Sequence, residues 1–372
     1  MTAKLTPVTS DCASRDSRSA CRHLFGPESA SRVISPAEDR STGHDPRSHG
    51  GANRTNSYRC SVHASDLSAV EVALRCYARQ TNRLLAGRPF SVAGEHADSI
   101  ARVLSTIGAH VVPTGGDATL PWASTTNRLT ADQRIDHARQ HMPVVAALGA
   151  DLQRTKLLHG RRIGICLVLE PKTAVLALTL VHAGADVSMY AHPEETDAAV
   201  ASALHSRGIT VFGGDPDAED AEQDRFLAQQ LHLLIDDGSR LIRRLANSPA
   251  HQTQFVGAAE ETTSGLRPLR SSAVPFPVIA VNDARSKLDF DNAIGTGQSC
   301  LFTILDLLAG HDSAWPLAGR HVVLAGFGPV GEGFARHARA LGGHVTVADV
   351  DPRAELRARA SGYPTGPLAR LV

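Results

Sequence analysis

Three glycines near the C-terminal end of the sequence are spaced to hold a phosphate group. Gly326, Gly328 and Gly331 form the motif G-x-G-x-x-G. In this motif the first glycine permits a tight turn, the second lets the backbone approach a pyrophosphate, and the third lets a helix pack close to a strand. Asp349 follows about 20 residues later, where a carboxylate takes the ribose hydroxyls of NAD. These residues predict a dinucleotide site.

The elements around the glycines have the order that such a site requires. Residues 321–325 are short, apolar and β-branched, as in a buried strand, and apolar residues then recur at helical spacing as far as Leu341. A second strand, predicted over 344–348, leads directly to Asp349. A lone G-x-G-x-x-G is common in structural turns, so it is this context that favours dinucleotide binding.

Acidic and hydroxyl groups in the middle third of the sequence also follow predicted strands. Asp237 comes after a strand predicted over 233–235, where α/β sheets bind ligands, although a solvated Asp-Gly turn explains the sequence equally well. Glu261 precedes three hydroxyl residues that either donate to a polar ligand or cap a helix. They are Thr262, Thr263 and Ser264.

A lysine with an acid and an amide nearby follows at the entry to another helix. These residues are Lys287, Asp291 and Asn292. A lysine beside carboxylates suits acid–base chemistry, because burial and neighbouring charges can bring its pKa toward neutrality. The helix that follows ends near Gly310 and is predicted to connect two domains.

A strand–helix–strand pattern occurs three times, over 85–116, 157–191 and 316–350, and indicates an α/β fold with parallel sheets. Only the third copy has the full glycine set. We expect a parallel-sheet substrate domain and a partial Rossmann domain. The predicted divisions are a disordered extension (1–62), an extra α/β unit of unknown role (63–125), a substrate-binding domain (126–290) and a truncated NAD-binding domain (291–372).

Composition argues against several classes of function. The formal net charge of the 372 residues is zero, which disfavours a nucleic-acid or membrane-surface partner. Six scattered cysteines without metal-ligand spacing are typical of thiols in a reducing cytoplasm. The 18 histidines are dispersed, so no metal site is predicted.

The stretch from Asp237 to Asp351 resembles the S-adenosylhomocysteine hydrolase family. The matching motifs are IDDG at 235–238, EETTSG at 260–265, VNDARSKLDFDN at 281–292, GTGQS at 295–299 and GFGPVGEG at 326–333. A weaker similarity reaches back to about residue 132. The family's enzymes use bound NAD to oxidise the substrate's 3′-hydroxyl, eliminate homocysteine, add water and reduce the ketone back. The resemblance therefore implies NAD as cofactor, a nucleoside thioether as substrate, and a homo-oligomer.

The resemblance also implies roles for single residues. Lys287 corresponds to the lysine near the 3′-hydroxyl, and Asp291 to the aspartate that holds the ribose hydroxyls. The implied catalytic residues are Lys287, Asp291, Asp237, Glu261 and Asn292. The implied NAD contacts are Thr262, Thr263, Ser264, Gly326, Gly328, Pro329, Val330, Gly331 and Asp349.

The sequence departs from the family at the first turn of the second repeat. A histidine of the family, proposed for acid–base work, is Val168 here. Where the family has a threonine that contacts the substrate, this sequence has Glu170. Where the family then has a glutamate, this sequence has Lys172. Valine cannot transfer a proton, which predicts weak or absent turnover.

The sequence ends at Val372, shortly after a helix predicted over 352–361, without the second half of the family's cofactor domain. The sequence is therefore interpreted as a divergent, C-terminally truncated member that either retains the hydrolase activity or is an impaired paralogue or remnant. We also expect residues 85–116 to dock beside the Rossmann strands and to supply missing sheet.

Overall fold

The computed structural model describes residues 5–7, 64–120, 129–311 and 315–372. The strands are β1 (Leu5–Pro7), β2 (Pro89–Val92), β3 (His110–Val111), β4 (Ala118–Leu120), β5 (Arg162–Cys166), β6 (Asp186–Ala191), β7 (Thr210–Gly213), β8 (Leu233–Asp236), β9 (Gly257–Glu260), β10 (Val278–Ala280), β11 (His321–Ala325) and β12 (His344–Ala348). The disorder predicted for 1–62 falls outside the described residues, except at Leu5–Pro7, which forms a strand.

Helices connect these strands. They are α1 (Ala64–Thr81), α2 (Ala97–Ile107), α3 (Ala131–Gln140), α4 (Pro143–Thr155), α5 (Pro171–His182), α6 (Ala198–Ser206), α7 (Glu219–Leu227), α8 (Arg240–Ala246), α9 (Thr263–Ser271), α10 (Gly297–His311), α11 (Pro329–Ala340) and α12 (Pro352–Ala360). A π-helical segment, Ser286–Thr296, runs directly into α10.

The largest sheet has seven parallel strands in the order β1-β10-β9-β8-β5-β6-β7. Its central strands are short apolar runs whose side chains are buried under helices, as Ile163 and Ile165 of β5 illustrate. Because all strands run the same way, the loops after β5, β8, β9 and β10 meet at one edge. The predicted parallel α/β architecture is confirmed.

Two sequence features bear on the helical pair before β5: Thr130 with Gln133 predicts a capping box, and Pro143 predicts a kink in a helix that runs through Ile135 and Ala138. Thr130 and Gln133 form the predicted capping box at the start of α3. Pro143 does not kink a continuous helix. Instead, α3 ends at Gln140 and Pro143 is the first residue of α4, where its missing N–H costs no hydrogen bond.

The glycine motif lies between two paired parallel strands, β11 and β12, with α11 as the crossover helix. Both strands have the bounds that the sequence predicts. Val345 and Val347 of β12 pack with Ala335 and Ala338 of α11 in one apolar core. This is the strand–helix–strand unit of a Rossmann domain.

The N-terminal unit forms a separate parallel sheet, β3-β2-β4, with α1 and α2 beside it. Its core residues, such as Tyr77 and Phe90, belong to the same apolar cluster as α10 and α11. Buried hydrogen bonds tie the two together: Leu85 N donates to Gln298 Oε1 at 2.9 Å. The predicted docking is therefore confirmed, but the predicted sheet extension is wrong, because β2 does not pair with β11 among the described residues.

The continuous helical stretch Ser286–Gly310 is long and apolar enough to cross a membrane by length and composition. It carries a charged lysine near its start, and its residues Leu301, Phe302 and Leu305 are buried in the core shared with α11. A helix with these contacts belongs to the folded domain.

Candidate active site

Acidic side chains gather where β8 and β9 end, at the carboxyl edge of the large sheet. Asp236 and Glu260 are register partners on the two strands, and Asp237 and Glu261 are the residues that follow them. Asp236 and Glu260 are fully buried, whereas Asp237 and Glu261 are partly exposed. Successive residues of a strand point to opposite sides, so each pair of adjacent acids places one carboxyl inside and the other toward the open edge.

Lys287 lies among these exposed acids. Its Nζ donates to Asp291 Oδ2 at 2.7 Å and lies 3.5 Å from Glu261 Oε1. Lys287 and Asp291 are four residues apart on the π-helical segment, which places them on the same face. Only 17% of the lysine side chain is exposed. These distances show that the fold brings together three of the predicted catalytic residues, Lys287, Asp291 and Glu261.

The charges in this cluster act on one another's pKa values. Burial raises the pKa of Glu261, Lys287 lowers it, and the charge of Asp237 raises it again, which places Asp237 near Glu261. Burial lowers the pKa of Lys287, but the hydrogen bond and charge of Asp291, with Glu261, outweigh burial and leave the pKa above its usual value. The prediction of a lysine pKa shifted toward neutrality is therefore wrong for this arrangement.

The hydroxyl residues after Glu261 begin a helix, as one of the two interpretations predicts. Thr262 Oγ1 accepts a hydrogen bond from Gly265 N and caps α9. Thr263 Oγ1 donates to the buried Asn282 Oδ1 at 3.1 Å, and Ser264 Oγ donates to Thr262 Oγ1 at 3.3 Å. The hydroxyls thus hold the loop after β9 against the residues that follow β10.

The glycine loop has the shape of a phosphate cradle. Gly326 has φ = +103°, a conformation that favours glycine. A Cβ on Gly331 would overlap the carbonyl oxygen of Gly326, whereas a Cβ on Gly328 would meet nothing within 4 Å. Helix α11 starts at Pro329, so the N–H groups of its first turn, including that of Val330, face the open space beside Gly328. These residues fit the pyrophosphate of a dinucleotide.

Asp349 is held beside the glycine loop. Its Oδ2 accepts a hydrogen bond from Phe327 N at 2.6 Å, and its Oδ1 accepts one from Asp351 N at 2.8 Å. A carboxylate oxygen can accept a second hydrogen bond, so Asp349 remains able to receive ribose hydroxyls. This placement fits the carboxylate that a dinucleotide site requires.

The helix of the glycine loop lies directly against the segment that carries Lys287. A Cβ on Gly297 would come within 2.7 Å of the Gly333 carbonyl carbon, and a Cβ on Gly333 would overlap the backbone of Ala293. Such close backbone contact is possible only with glycine at both positions. Asn292 lies beside this contact and is half-buried.

The turn after β5 faces the same edge of the sheet and carries the departures from the family pattern. Val168 is 44% exposed, so an apolar side chain lies where the pattern has an acid–base group. Glu170 and Lys172 form an ion pair, with 3.0 Å between Oε1 and Nζ. The turn therefore presents a valine and a neutralised charge pair to the site.

The buried half of the acidic group, Asp236 and Glu260, is not among the residues predicted from the sequence. Cys166 and Asp236 are register partners on β5 and β8, and burial with the nearby charge of Asp236 raises the pKa of the Cys166 thiol. Burial raises the pKa of Asp236 to about 7, with a further contribution from Glu260. The signal was present in the paired acids Asp-Asp and Glu-Glu at strand ends, since side-chain alternation must bury one of each pair. Among the described residues, no group of three or more His, Cys, Asp or Glu side chains could hold a metal ion.

Two family models match the chain. The model described as S-adenosyl-L-homocysteine hydrolase matches residues 125–248, and the model of the NAD binding domain of S-adenosyl-L-homocysteine hydrolase matches residues 300–371. The second match contains the whole glycine loop. NAD is therefore the dinucleotide for which this part of the chain is built.

Curated relatives carry two related names. An S-inosyl-L-homocysteine hydrolase of Methanopyrus kandleri is 38% identical over 64% of this chain and 57% of the relative. An adenosylhomocysteinase of Halobacterium salinarum is 35% identical over 66% of this chain and 58% of the relative. An adenosylhomocysteinase of Thermococcus kodakarensis is 37% identical over 63% and 56%, respectively. The chain thus spans less than two thirds of the length of the relatives it matches.

Proposed function

Since the chain belongs to the S-adenosyl-L-homocysteine hydrolase family, we propose that it catalyses the reversible, NAD-dependent hydrolysis of an S-nucleosyl-L-homocysteine to the nucleoside and L-homocysteine. The observation that carries this proposal is the cluster of Lys287, Asp291 and Glu261, with Lys287 Nζ at 2.7 Å and 3.5 Å from the two carboxylates. Lys287 and Asp291 lie on the segment against which the helix of the NAD loop packs. This contact supports a proton-transferring group beside the bound hydride acceptor.

In this proposal the acids and the lysine bind and deprotonate the ribose. The carboxylates of Asp291 and Glu261 accept hydrogen bonds from the 2′- and 3′-hydroxyls. Lys287, which is protonated, passes one of its protons to the neighbouring Glu261 carboxylate as it takes the proton of the 3′-oxygen. Asp237 serves the second proton transfer, at the 4′ carbon, which is adjacent to the carbon that loses homocysteine, and Asn292 orients the ribose toward the cofactor. Bound NAD supplies the reversible hydride transfer that activates the 4′ carbon.

The glycine loop and the hydroxyls would hold the cofactor. Gly326, Gly328 and Gly331, with the N–H groups that follow Pro329 and Val330, are assigned to the pyrophosphate. Asp349 is assigned to a ribose. Thr262, Thr263 and Ser264 are assigned to the nicotinamide end, because they lie on the loop next to Glu261. Each of these hydroxyls donates its single hydrogen within the protein, so each would meet NAD as an acceptor or after exchanging that bond.

The test is synthesis in the reverse direction. Purified protein is incubated with NAD, L-homocysteine and either adenosine or inosine, and the thioether product is measured by mass spectrometry. Both nucleosides are used because the relatives are named for both. We expect product with at least one nucleoside, and a loss of at least about a hundredfold in Lys287→Met. No product with either nucleoside, from protein that retains NAD, would contradict the proposal.

The proposal includes assembly and compartment. We propose a homo-oligomer in the cytoplasm, because the family assembles in this way and the described cysteines Cys76, Cys166 and Cys300 are free thiols. Light scattering of the purified protein measures the oligomer directly.

One observation favours a second candidate, an impaired paralogue that binds nucleoside and NAD with little turnover. Val168 offers no proton at the turn after β5. Val168→His should raise the rate of synthesis if the rest of the site is assembled, whereas Val168→Leu, which keeps an apolar side chain, should not. An unchanged rate in Val168→His would count against a role for this turn.

A further inference from the structure

Glu260 occupies an unusual position beneath the proposed site. It is fully buried, and it lies between the loops that carry the exposed acids Asp237 and Glu261. A buried carboxyl group is costly unless several donors compensate its lost hydration. The location of these donors shows what Glu260 holds in place.

One carboxylate oxygen of Glu260 receives donors from both loops. Its Oε1 accepts hydrogen bonds from Gly238 N at 3.1 Å, from Thr262 N at 2.8 Å and from Thr262 Oγ1 at 2.6 Å. Gly238 immediately follows Asp237, and Thr262 immediately follows Glu261. Gly238 N also donates to Thr262 Oγ1 at 3.0 Å, so Glu260 Oε1 and the Thr262 hydroxyl bound to it together link the two peptide segments that present the site's acids.

The strand ends beneath this oxygen are fixed by the sheet. Asp237 N donates to Cys166 O at 2.9 Å, and Glu261 N donates to Asp236 O at 3.1 Å. The loops leave the sheet from these anchors, and the next fixed point of each is Glu260 Oε1. Gly238 has φ = +78°, so the loop after β8 turns sharply at the residue that Glu260 binds.

Gly265 of α9 packs directly against the carboxyl group of Glu260. A Cβ on Gly265 of α9 would overlap Glu260 Oε1 and lie 2.8 Å from Oε2. Oε2 is buried without a hydrogen-bond partner, as is Asp236 Oδ1 on the neighbouring strand. The position of Oε1 is thus set by packing on one side and by the three donors on the other.

We propose that Glu260 is a positioning residue: its buried carboxyl group joins the loops after β8 and β9 and so sets the distance of Glu261 and Asp237 from Lys287. This inference rests on the proposed function for its consequence in catalysis. A displacement of about 1 Å in a reacting group can cost about a hundredfold in rate. Glu260 itself touches neither substrate nor cofactor in this account.

Substitution of Gly265 tests the proposal without removing any polar group. Gly265→Ala drives a methyl group into the Glu260 carboxylate, whereas the control Gly310→Ala adds the same methyl group to α10 with nothing within 4 Å. Both substitutions replace a glycine near a helix end with alanine, the better helix former. Any difference between them therefore reports the displaced carboxylate.

The titration of Lys287 is a readout that needs no turnover. The sequence contains four lysines, Lys4, Lys156, Lys172 and Lys287, so ¹³C-labelled lysine gives a simple NMR spectrum in which Lys287→Arg identifies the signal. Since Glu261 contributes to the raised pKa of Lys287, we expect a lower Lys287 pKa in Gly265→Ala and an unchanged one in Gly310→Ala. In the synthesis assay, kcat should fall about tenfold or more in Gly265→Ala, with KM within about threefold.

Two variants of Glu260 itself keep the test valid if Gly265→Ala does not fold. Glu260→Gln retains a carbonyl oxygen that can accept from Gly238 N and Thr262 N, and should stay closer to the wild type than Glu260→Ala in both readouts. Wild-type Lys287 titration and wild-type kcat in a folded Gly265→Ala or Glu260→Ala protein would overturn the proposal. If Lys287 responds as expected but the wild type makes no product, the positioning role stands and the proposed function fails.

Discussion

The two strand–turn–helix repeats at residues 162–182 and 321–340 follow the same plan and differ in what their turns can hold. Each helix begins with proline, Pro171 or Pro329, and the residue two positions before it, Leu169 or Phe327, is buried. The repeats diverge at the residues between. Counting from the prolines, Val168 takes the place of Gly326, Glu170 of Gly328 and Thr173 of Gly331.

In the turn after β5, here called the first turn, side chains occupy the space that remains open in the turn after β11, here called the second turn. Thr173 Oγ1 donates to the carbonyl oxygen of Val168 at 2.7 Å, and Glu170 brings a carboxylate to the start of α5. In the second turn, Gly331 lies against the carbonyl of Gly326, and Gly328 is open. The same backbone arrangement therefore has room for an anion only in the second turn, where glycines replace the residues that carry side chains in the first.

The largest effect on NAD binding is expected when the second turn is closed. Gly331→Ala places a methyl group on the backbone oxygen of Gly326, which cannot move as a flexible side chain would. We expect a loss of roughly 1–3 kcal/mol of unfolding free energy and loss of bound NAD. Urea denaturation and NAD released from denatured protein measure the two effects. Retention of both would mean that the turn is wider than the structure shows.

The strand ends below the two turns should contribute differently to the pH dependence of the unfolding free energy. Cys166 of the first repeat pairs with Asp236, whereas Ala325 of the second pairs with Ala348. Burial raises the pKa of Asp236 to about 7, so between its unfolded pKa and pH 7 the native state holds a proton that the unfolded state has lost. Stability contributed by this proton is present below the unfolded pKa and is lost as pH rises to about 7.

Asp236→Asn removes this titration. The unfolding free energy of the wild type relative to Asp236→Asn should fall by up to about 4 kcal/mol from pH 4 to pH 7 and then level off. Urea denaturation of both proteins across this range measures the difference. A difference that is constant with pH would show that Asp236 ionises in the native state as it does in water.

An intermediate effect is expected when the charge of the first turn is copied into the second. Gly328 has φ = −74° and open space beside it, so Gly328→Glu should fold normally. Its carboxylate would repel the pyrophosphate and weaken NAD binding by about a hundredfold or more. Gly328→Gln is the matched control for size. Equal NAD affinities of the Glu and Gln variants would show that the phosphates bind elsewhere.

The smallest effect is expected in the first turn. Thr173→Ala removes one hydrogen bond to Val168 O and should cost about 1 kcal/mol of unfolding free energy without changing NAD content. Thermal and urea denaturation test the stability effect. A change in NAD content would reveal a connection between the turns that this account lacks.

Local patterns in the sequence predict most elements because they arise from contacts within a few residues. The bounds of β11 and β12, the capping box at Thr130 and the parallel sheets follow from periodicity and helix-start signals. Helix α7 illustrates the limit: the pattern predicts helix over 219–232, but the helix ends at Leu227 before the chain turns into β8.

What the sequence could not specify depends on contacts between distant segments. The raised pKa of Lys287 arises from Asp291 and Glu261 together, and Glu261 lies on another strand loop. The π-helical segment and its close contact with Gly333 depend on the packing of α11. The docking of the N-terminal unit uses Glu71 Oε2, which accepts from Leu317 N at 2.9 Å across 246 positions of sequence.

The most direct test of the account is the absorbance of the NAD-loaded protein at about 340 nm after adenosine or inosine is added without homocysteine. If the cofactor lies beside the Lys287 cluster, oxidation of the 3′-hydroxyl will reduce bound NAD, and the absorbance will rise. It will stay flat in Lys287→Met protein of equal NAD content. A flat trace from wild-type protein that holds NAD, with both nucleosides, would contradict the claim that Lys287 and the glycine loop form one site.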